Sequence, residues 1–433
     1  MQNSTHITCA FLIGLLAIAG VFDARTAHAQ SYDYGDAPDV FGTLAPLGAR
    51  HIIIMGGPRL GLLVDADAIG FPSFGAVGDD LDNTDDEDGV KFLTPLILDT
   101  VPTIATIQVT ASQVAKLDAW IDFNGNFVFD VGNQIFDDYV LAAGENLLTF
   151  TVPTAGVTLG EKILRFRISS AGVASPIGTA PDGEVEDYRE DISAPGSVVT
   201  LKSPDGLSYP MTIDQTGVDV RVRASDGTII FQRPISSMPA LIIEGTDDDD
   251  HFLFDLSGGL PMPLGGILVK GEDEGAGGDV MTLTGTTVTN SVHTFLTEQT
   301  GQVALDMEPL ISYSGLEPIF DLLTATNKIF NYSASSEEIT LEDDGDVADG
   351  QSFVDSDIGS ESVTFSHPTA VIEINAGDGT NVIRIKQIDS MYAGDILITG
   401  GGADDFLHAD WSDGNPLLTG VVFNSGNHGA VGD

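Results

Sequence analysis

Cysteine is all but missing: Cys9 stands alone in 433 residues, inside an apolar segment that the sequence marks for removal. Residues 1–29 read as a secretory signal. Cys9 to Phe22 is an apolar core too short to cross a bilayer, and Ala27-His28-Ala29 forms an A-x-A cleavage site before Gln30. The alternative is a retained membrane anchor, with only His6 and the α-amine supplying positive charge near the N-terminus. Cys9 sits at the wrong end of the segment for lipid attachment. Cleavage therefore leaves an exported chain of about 400 residues, too long for one core, with no disulfide and no membrane insertion. Its loops need another fastening, and bound metal is one.

Positive charge is the second shortage. The chain has 17 lysines and arginines against 65 aspartates and glutamates, a net charge of −48. Nucleic acid is excluded as a partner, because a polyanion is repelled at every approach. Anionic lipid is disfavoured for the same reason. Self-repulsion on this scale opposes compaction unless cations neutralise it. Evenly spread acids would indicate a solvated surface, whereas here they cluster with Gly and Asn in loops, as a hard cation such as Ca²⁺ requires.

Helical periodicity is also scarce. Glycine numbers 50, well above the usual ~7%, and Val, Ile and Thr fall in short runs bounded by turn residues. The pattern is all-β. Alternating segments at Thr103–Val109, Ala115–Ile121, Leu147–Val152 and Lys162–Ile168, with turn signals every ten residues or so, predict an N-terminal β-sandwich over 30–191. Residues 192–197 read as a linker.

Within that domain, Ala119-Trp120-Ile121 drives into Asp122, Asn124, Asn126 and Asp130, oxygens at positions 1, 3, 5 and 9 of a tight loop. This is not an EF-hand: glycine stands at position 4 (Gly125), Phe127 at 6, and Asn133 at 12. The expected site is a β-framed Ca²⁺ loop using Asp122, Asn124, Asn126, the Val128 carbonyl and Asp130. Two carboxylates are too few, so Glu184 or Glu186, which share a strand face by i,i+2 alternation, are expected to supply more. The competing reading is an Asn-Gly hairpin turn with solvated acids. Seven of the ten residues from Asp79 to Asp88 are acidic, either a second cation loop or an exposed run. Asp33, Asp36 and Asp39 read as turn-formers around Pro38. Trp120 reads as core, with a sugar-stacking platform as the alternative.

Four segments carry a family resemblance: Asp33-Tyr34-Gly35-Asp36-Ala37-Pro38, Asp85-Asp86-Glu87-Asp88-Gly89-Val90, Trp120-Ile121-Asp122-Phe123-Asn124-Gly125 and Gly183-Glu184-Val185-Glu186-Asp187-Tyr188. In this order they resemble the GEVED domain of secreted and surface proteins from environmental bacteria. The resemblance implies an extracellular β-sandwich module with no established catalysis.

From 198 to 433 a looser template recurs: a strand, a Gly/Asp turn, a second short strand. Starts at 241 and 267, and at 371 and 396, repeat at about 25 residues, which predicts an irregular β-solenoid of parallel β-helix type. Its turns resemble degenerate forms of a calcium-repeat nonapeptide: Gly377, Gly379, Asn381 and Ile383, then Gly400, Gly401, Asp405 and Leu407. One copy per coil brings too few ligands together, so structural turns are the simpler expectation. This half resembles the Gly/Asp-rich repeats of large planctomycete-type surface proteins. Residues 314–327 could hold a helical turn. The final residues stop in mid-turn without a cap, as expected of a piece of a longer protein.

No G-x-S-x-G, H-E-x-x-H or Walker motif occurs. A β-helix lyase would need a base such as Lys270, Arg384 or Lys386, in a chain that repels acidic polysaccharide. The leading expectation is a non-enzymatic, extracellular or cell-surface, calcium-binding structural or adhesive protein. Its partners would be surface polysaccharide or other extracellular proteins. The alternatives are a calcium-dependent carbohydrate-binding module and a polysaccharide-active enzyme.

Overall fold

A computed structural model describes residues 31–78, 86–206, 210–272, 278–297, 299–306, 308–333, 335–346, 348–357, 362–410 and 420–426. Residues 1–30, over which a signal is expected, the first part of the acidic run (79–85) and the tail from 427 lie outside the described residues. The fold is all-β, with three short 3₁₀ turns as the only helical elements among those residues. No helix of the described residues is long and apolar enough to cross a membrane.

Eleven strands build the N-terminal part: β1 (Tyr32–Tyr34), β2 (Arg50–Ile52), β3 (Val90–Phe92), β4 (Leu96–Ile97), β5 (Thr103–Ala111), β6 (Ala115–Ile121), β7 (Gln134–Leu141), β8 (Gly144–Val152), β9 (Gly160–Ser169), β10 (Thr179–Ala180) and β11 (Glu184–Ser193). A five-stranded sheet, β4-β11-β9-β6-β7, faces a three-stranded sheet, β3-β5-β8. Alternation decides what lies between them. Ala105, Ile107 and Val109 of β5 meet Leu117, Ala119 and Ile121 of β6 and Leu164, Phe166 and Ile168 of β9, all without exposed surface. Burying such side chains stabilises by roughly 1.5–3 kcal/mol each.

Alternation also predicts solvent on the outer faces, and here tertiary packing overrides it. A third sheet, β1-β2-β10, covers the outer face of β9 and β11. The outer residues of β5 are buried against the second half: Thr106 Oγ1 donates to the Ile230 carbonyl at 2.6 Å, and Gln108 exchanges bonds with the backbone of Asp205 at 2.8 and 2.9 Å. Leu93 and Ile97 belong to the core of the C-terminal half. β11 runs on to Ser193 and pairs there with β4, so only 194–198 separate it from the next strand.

The C-terminal half is a solenoid. Its chain passes back and forth between a ten-stranded and an eleven-stranded sheet. Leu241–Glu244 pairs in parallel with Ile267–Lys270, and Val371–Asn375 with Asp395–Thr399, as the repeat predicts. Inward residues such as Ile243, Val269, Ile374 and Ile398 are fully buried. Antiparallel segments Thr300–Leu305 and Gln351–Ser356 interrupt the parallel order. Where a helical turn seemed open, residues 319–321 and 324–331 are strands, whose buried positions Ile319, Asp321, Ala325, Lys328 and Phe330 turn into the coils.

Candidate functional site

The loop after β6 folds around one carboxylate. Asp122, 2% exposed, accepts from Gly125 N (3.0 Å) and Asn126 N (3.2 Å) through Oδ1, and from Phe127 N (2.8 Å) through Oδ2. Gly125 takes a left-handed φ of 71°, which costs glycine little. Phe127 takes φ 66°, a costly choice for an aromatic residue, held by Asp122 and by its ring against Phe41. Asn124 Oδ1 accepts from Asn126 N (2.9 Å) and Asn126 Oδ1 from Val128 N (3.0 Å). Asp130 Oδ2 accepts from both asparagine amides, at 3.3 and 2.8 Å. The Val128 carbonyl accepts from Asp130 N at 3.1 Å. Asp122, Asn124, Asn126, Val128 and Asp130 are therefore together in one small loop. Among the described residues, no group of three or more His, Cys, Asp or Glu side chains stands ready to hold a metal ion.

Glu184 and Glu186 do not join them. They lie opposite Ile168 and Phe166 on β9, which in turn face Leu117 and Ala119 on β6. That line crosses β6 below Asp122. The shared face is the core face, so both side chains run between the sheets and bind backbone on the far side. Glu184 Oε2 accepts from Leu60 N at 2.5 Å, and Glu186 Oε1 from Gly89 N at 2.9 Å. The Tyr188 hydroxyl donates to Glu186 Oε2 and accepts from Val90 N, both at 3.0 Å. Burial, then Glu186 and Asp33, pushes the Glu184 carboxyl well above its ordinary range. Burial does the same to Glu186, against the bonds from Tyr188 and Gly89.

The other face of β11 holds the first motif. Asp33 Oδ2 accepts from Val185 N at 2.6 Å, and Ala37 N donates to Asp187 Oδ2 at 2.8 Å. Asp187 takes a bidentate pair from Arg165 Nε and Nη2, each at 2.7 Å, with both side chains fully buried. Arg165 Nη1 also caps the carbonyls of Phe41, Gly42 and Pro176. Arg167 caps those of Ser175, Ile177, Arg50 and Gly178, and its Nε donates to His51 Nε2 at 3.0 Å. His51 then carries its proton on Nδ1, toward the Asp182 carbonyl at 2.7 Å. Burial first, and Arg167 second, hold that imidazole well below its usual pKa. Gly35 lies where this lock is tightest: a Cβ there would collide with the Asp187 carboxylate and sit 3.2 Å from Arg165 Nη2. Gly35→Ala is expected to cost about 1–3 kcal/mol by overpacking, seen as a lower urea midpoint with an unchanged m-value.

Asp33 and Asp36 thus bind backbone, Asp36 accepting from Gly78 N at 2.6 Å. Trp120 is 3% exposed and offers no sugar platform. In the solenoid, Asp405 Oδ1 accepts from the backbone and side chain of Asn381 one coil away, at 2.9 and 3.0 Å, so these turn residues staple neighbouring coils. Lys270, Arg384 and Lys386 each pair with a carboxylate, Glu244, Glu338 and Glu342 respectively.

The stretch from β6 to β11 decides the comparison. Residues 116–189 match the GEVED domain. The GEVED match contains the Asp122 loop, Arg165, Arg167 and the Glu184–Asp187 strand, whereas the first motif and the solenoid lie outside it. No curated protein and no solved structure matches the chain.

Arg165 and Arg167 escaped the sequence reading, and Asp187 entered it only as part of the last motif. The available signal was Ile163-Leu164-Arg165-Phe166-Arg167-Ile168, in which two arginines occupy a strand face in a chain with few cations.

Proposed function

We propose that this chain is an extracellular, non-catalytic structural or adhesive protein, with Ca²⁺ held in the Asp122–Asp130 loop. The observation that carries the reading is that Asp122, Asn124, Asn126 and Asp130 share one hydrogen-bonded turn, which left-handed Gly125 permits. Asp122 Oδ2 and the side-chain oxygens of Asn124 and Asn126 each accept one N–H and keep a second lone pair for a cation, whereas Asp122 Oδ1 and Asp130 Oδ2 already accept two. Six to eight oxygens suit Ca²⁺, and water can complete the set. The ion would offset part of the −48 charge and replace the fastening that disulfides give other exported proteins. The acidic, elongated solenoid would present surface to polysaccharide or to other extracellular proteins. The GEVED match over 116–189 supports the modular extracellular reading by analogy.

Calorimetric titration of the full chain with CaCl₂ checks the loop. Asp122→Ala with Asp130→Ala is expected to remove one bound Ca²⁺ per chain, together with that ion's share of the thermal stabilisation. At free Ca²⁺ a hundredfold above Kd, the share is about 2.7 kcal/mol. An unchanged Ca²⁺ count would sink the loop assignment.

A further inference from the structure

We propose that the cleft between β5 and strand Ile229–Pro234 binds an extended peptide, uncharged and aliphatic in its middle and basic at its ends, which adds a strand to the solenoid's eleven-stranded sheet. Such a peptide would be a partner of the adhesive protein proposed above, a claim that rests on that reading but not on its Ca²⁺. The cleft has a volume of about 550 Å³ where the sandwich meets the solenoid, within the usual range for a binding pocket. Ile97, Val101, Pro102 and Ile104 line it from the sandwich, and Ile229 and Phe231 from the solenoid. Ile104 is 57% exposed.

An apolar lining alone does not select a peptide; the sheet edge does. Strand Ile229–Pro234 ends the eleven-stranded sheet and pairs on one side with Asp219–Arg223. Beyond its end, Ile235 N donates to the Val218 carbonyl at 3.0 Å. Main-chain groups face the same side at every second residue, so Arg233 and Phe231 also turn to that neighbour. Gln232 and Pro234, in the opposite phase, turn to the cleft. The Ile230 carbonyl, which accepts from Thr106 of β5, points the same way. The Gln232 N–H and C=O and the Pro234 C=O are therefore open to an added strand. Arg233, its side chain 13% exposed, has one partner among the described residues, the Asp99 carboxylate, and keeps N–H groups for a peptide carbonyl. Asp99 is already engaged, since Thr100 N also donates to it at 2.6 Å. Charge sets the peptide's ends. Asp219 lies opposite Pro234, and Asp226 stands in the turn before Ile229, in a chain of net charge −48. Acidic flanks are repelled there and basic ones attracted.

Fluorescence anisotropy of a labelled, end-blocked peptide, Lys-Val-Thr-Val-Thr-Val-Lys, titrated with the full chain in CaCl₂ and in EDTA is the test. Saturable one-to-one binding is expected in both, so a failure of the Asp122 loop to hold Ca²⁺ leaves the result intact. Proline in place of the central valine removes a ladder N–H from the peptide and should abolish binding. Gln232→Pro removes the outward N–H of the edge while leaving the bonds to Asp219–Arg223, and Ile104→Lys places a charge on the exposed rim. Each variant should weaken binding at least tenfold. If Gln232→Pro does not fold, Ile104→Lys decides alone, because its position is exposed. Absence of binding, equal binding of the proline peptide, or unchanged binding by a folded variant overturns the site. So does a dimer of the chain that the peptide dissociates, since the edge would then belong to a second copy.

Discussion

Asp187→Ala is expected to destabilise the sandwich by about 3–5 kcal/mol, the cost of leaving one partner of a buried ion pair behind. Two bonds from Arg165 and one from Ala37 N end on this carboxylate. Without it, a guanidinium with no exposed surface keeps its charge and loses its counter-charge. The damage should be local at first. Ala37 anchors the first motif to β11, so residues 31–78 should become cleavable by protease before the rest of the sandwich unfolds. Urea unfolding and limited proteolysis of the full chain check both parts. A loss under 1 kcal/mol, with no new cleavage in 31–78, would show that the arginine finds enough carbonyls on its own.

Lys328→Met in the solenoid should have a cost of similar size. Lys328, Asp321, His293 and Ser291 are all fully buried inside the coils. Asp321 lies 2.6 Å from the Lys328 ammonium and accepts from Ser291 Oγ (2.6 Å) and His293 Nε2 (3.0 Å). Burial alone would raise the Asp321 carboxyl, but Lys328 and then His293 outweigh it and hold the group well below its usual range. Lys328 fares less well: burial lowers it, and Asp321 makes up only part of the loss. The pair is therefore costly to break from one side, at about 3–5 kcal/mol. Asp321→Asn added to Lys328→Met should recover most of that.

The sign with pH follows. In the wild type the Asp321 pKa is depressed on folding, so its contribution is present above the unfolded value of about 3.9 and is lost as pH falls through the folded one. In Lys328→Met the stranded carboxyl has a raised folded pKa, and protonation relieves it. The deficit relative to wild type should therefore be larger at pH 8 than at pH 5.

Local pattern made some of this legible. β5 and β9 follow from alternation, and the parallel pairing of 241 with 267 follows from a 26-residue spacing close to the coil length. The Asp122 loop was legible because its parts lie within nine residues. The shared face of Glu184 and Glu186 was legible too, but not its destination. Alternation says that two side chains point the same way; it does not say which distant loop they meet. The outer face of β9 was not legible, for a related reason. Arginine at 165 and 167 signals solvent until a third sheet, formed by β1, β2 and β10, closes over it. Thr106 and Gln108 alternate with the core residues of β5, and their cover comes from the solenoid.

The docking of β1 onto β11 also sets an order of events. Val185 and Asp187 bind Asp33 and Ala37 across 152 and 150 residues of sequence. A chain that emerges N-terminus first must hold its opening motif undocked until residue 187 has followed. Closing so long a loop delays folding without greatly altering final stability. The solenoid has no such wait, because each coil pairs with the one just laid down. The sandwich therefore completes in one late step, while the coils behind it accumulate singly on a finished base.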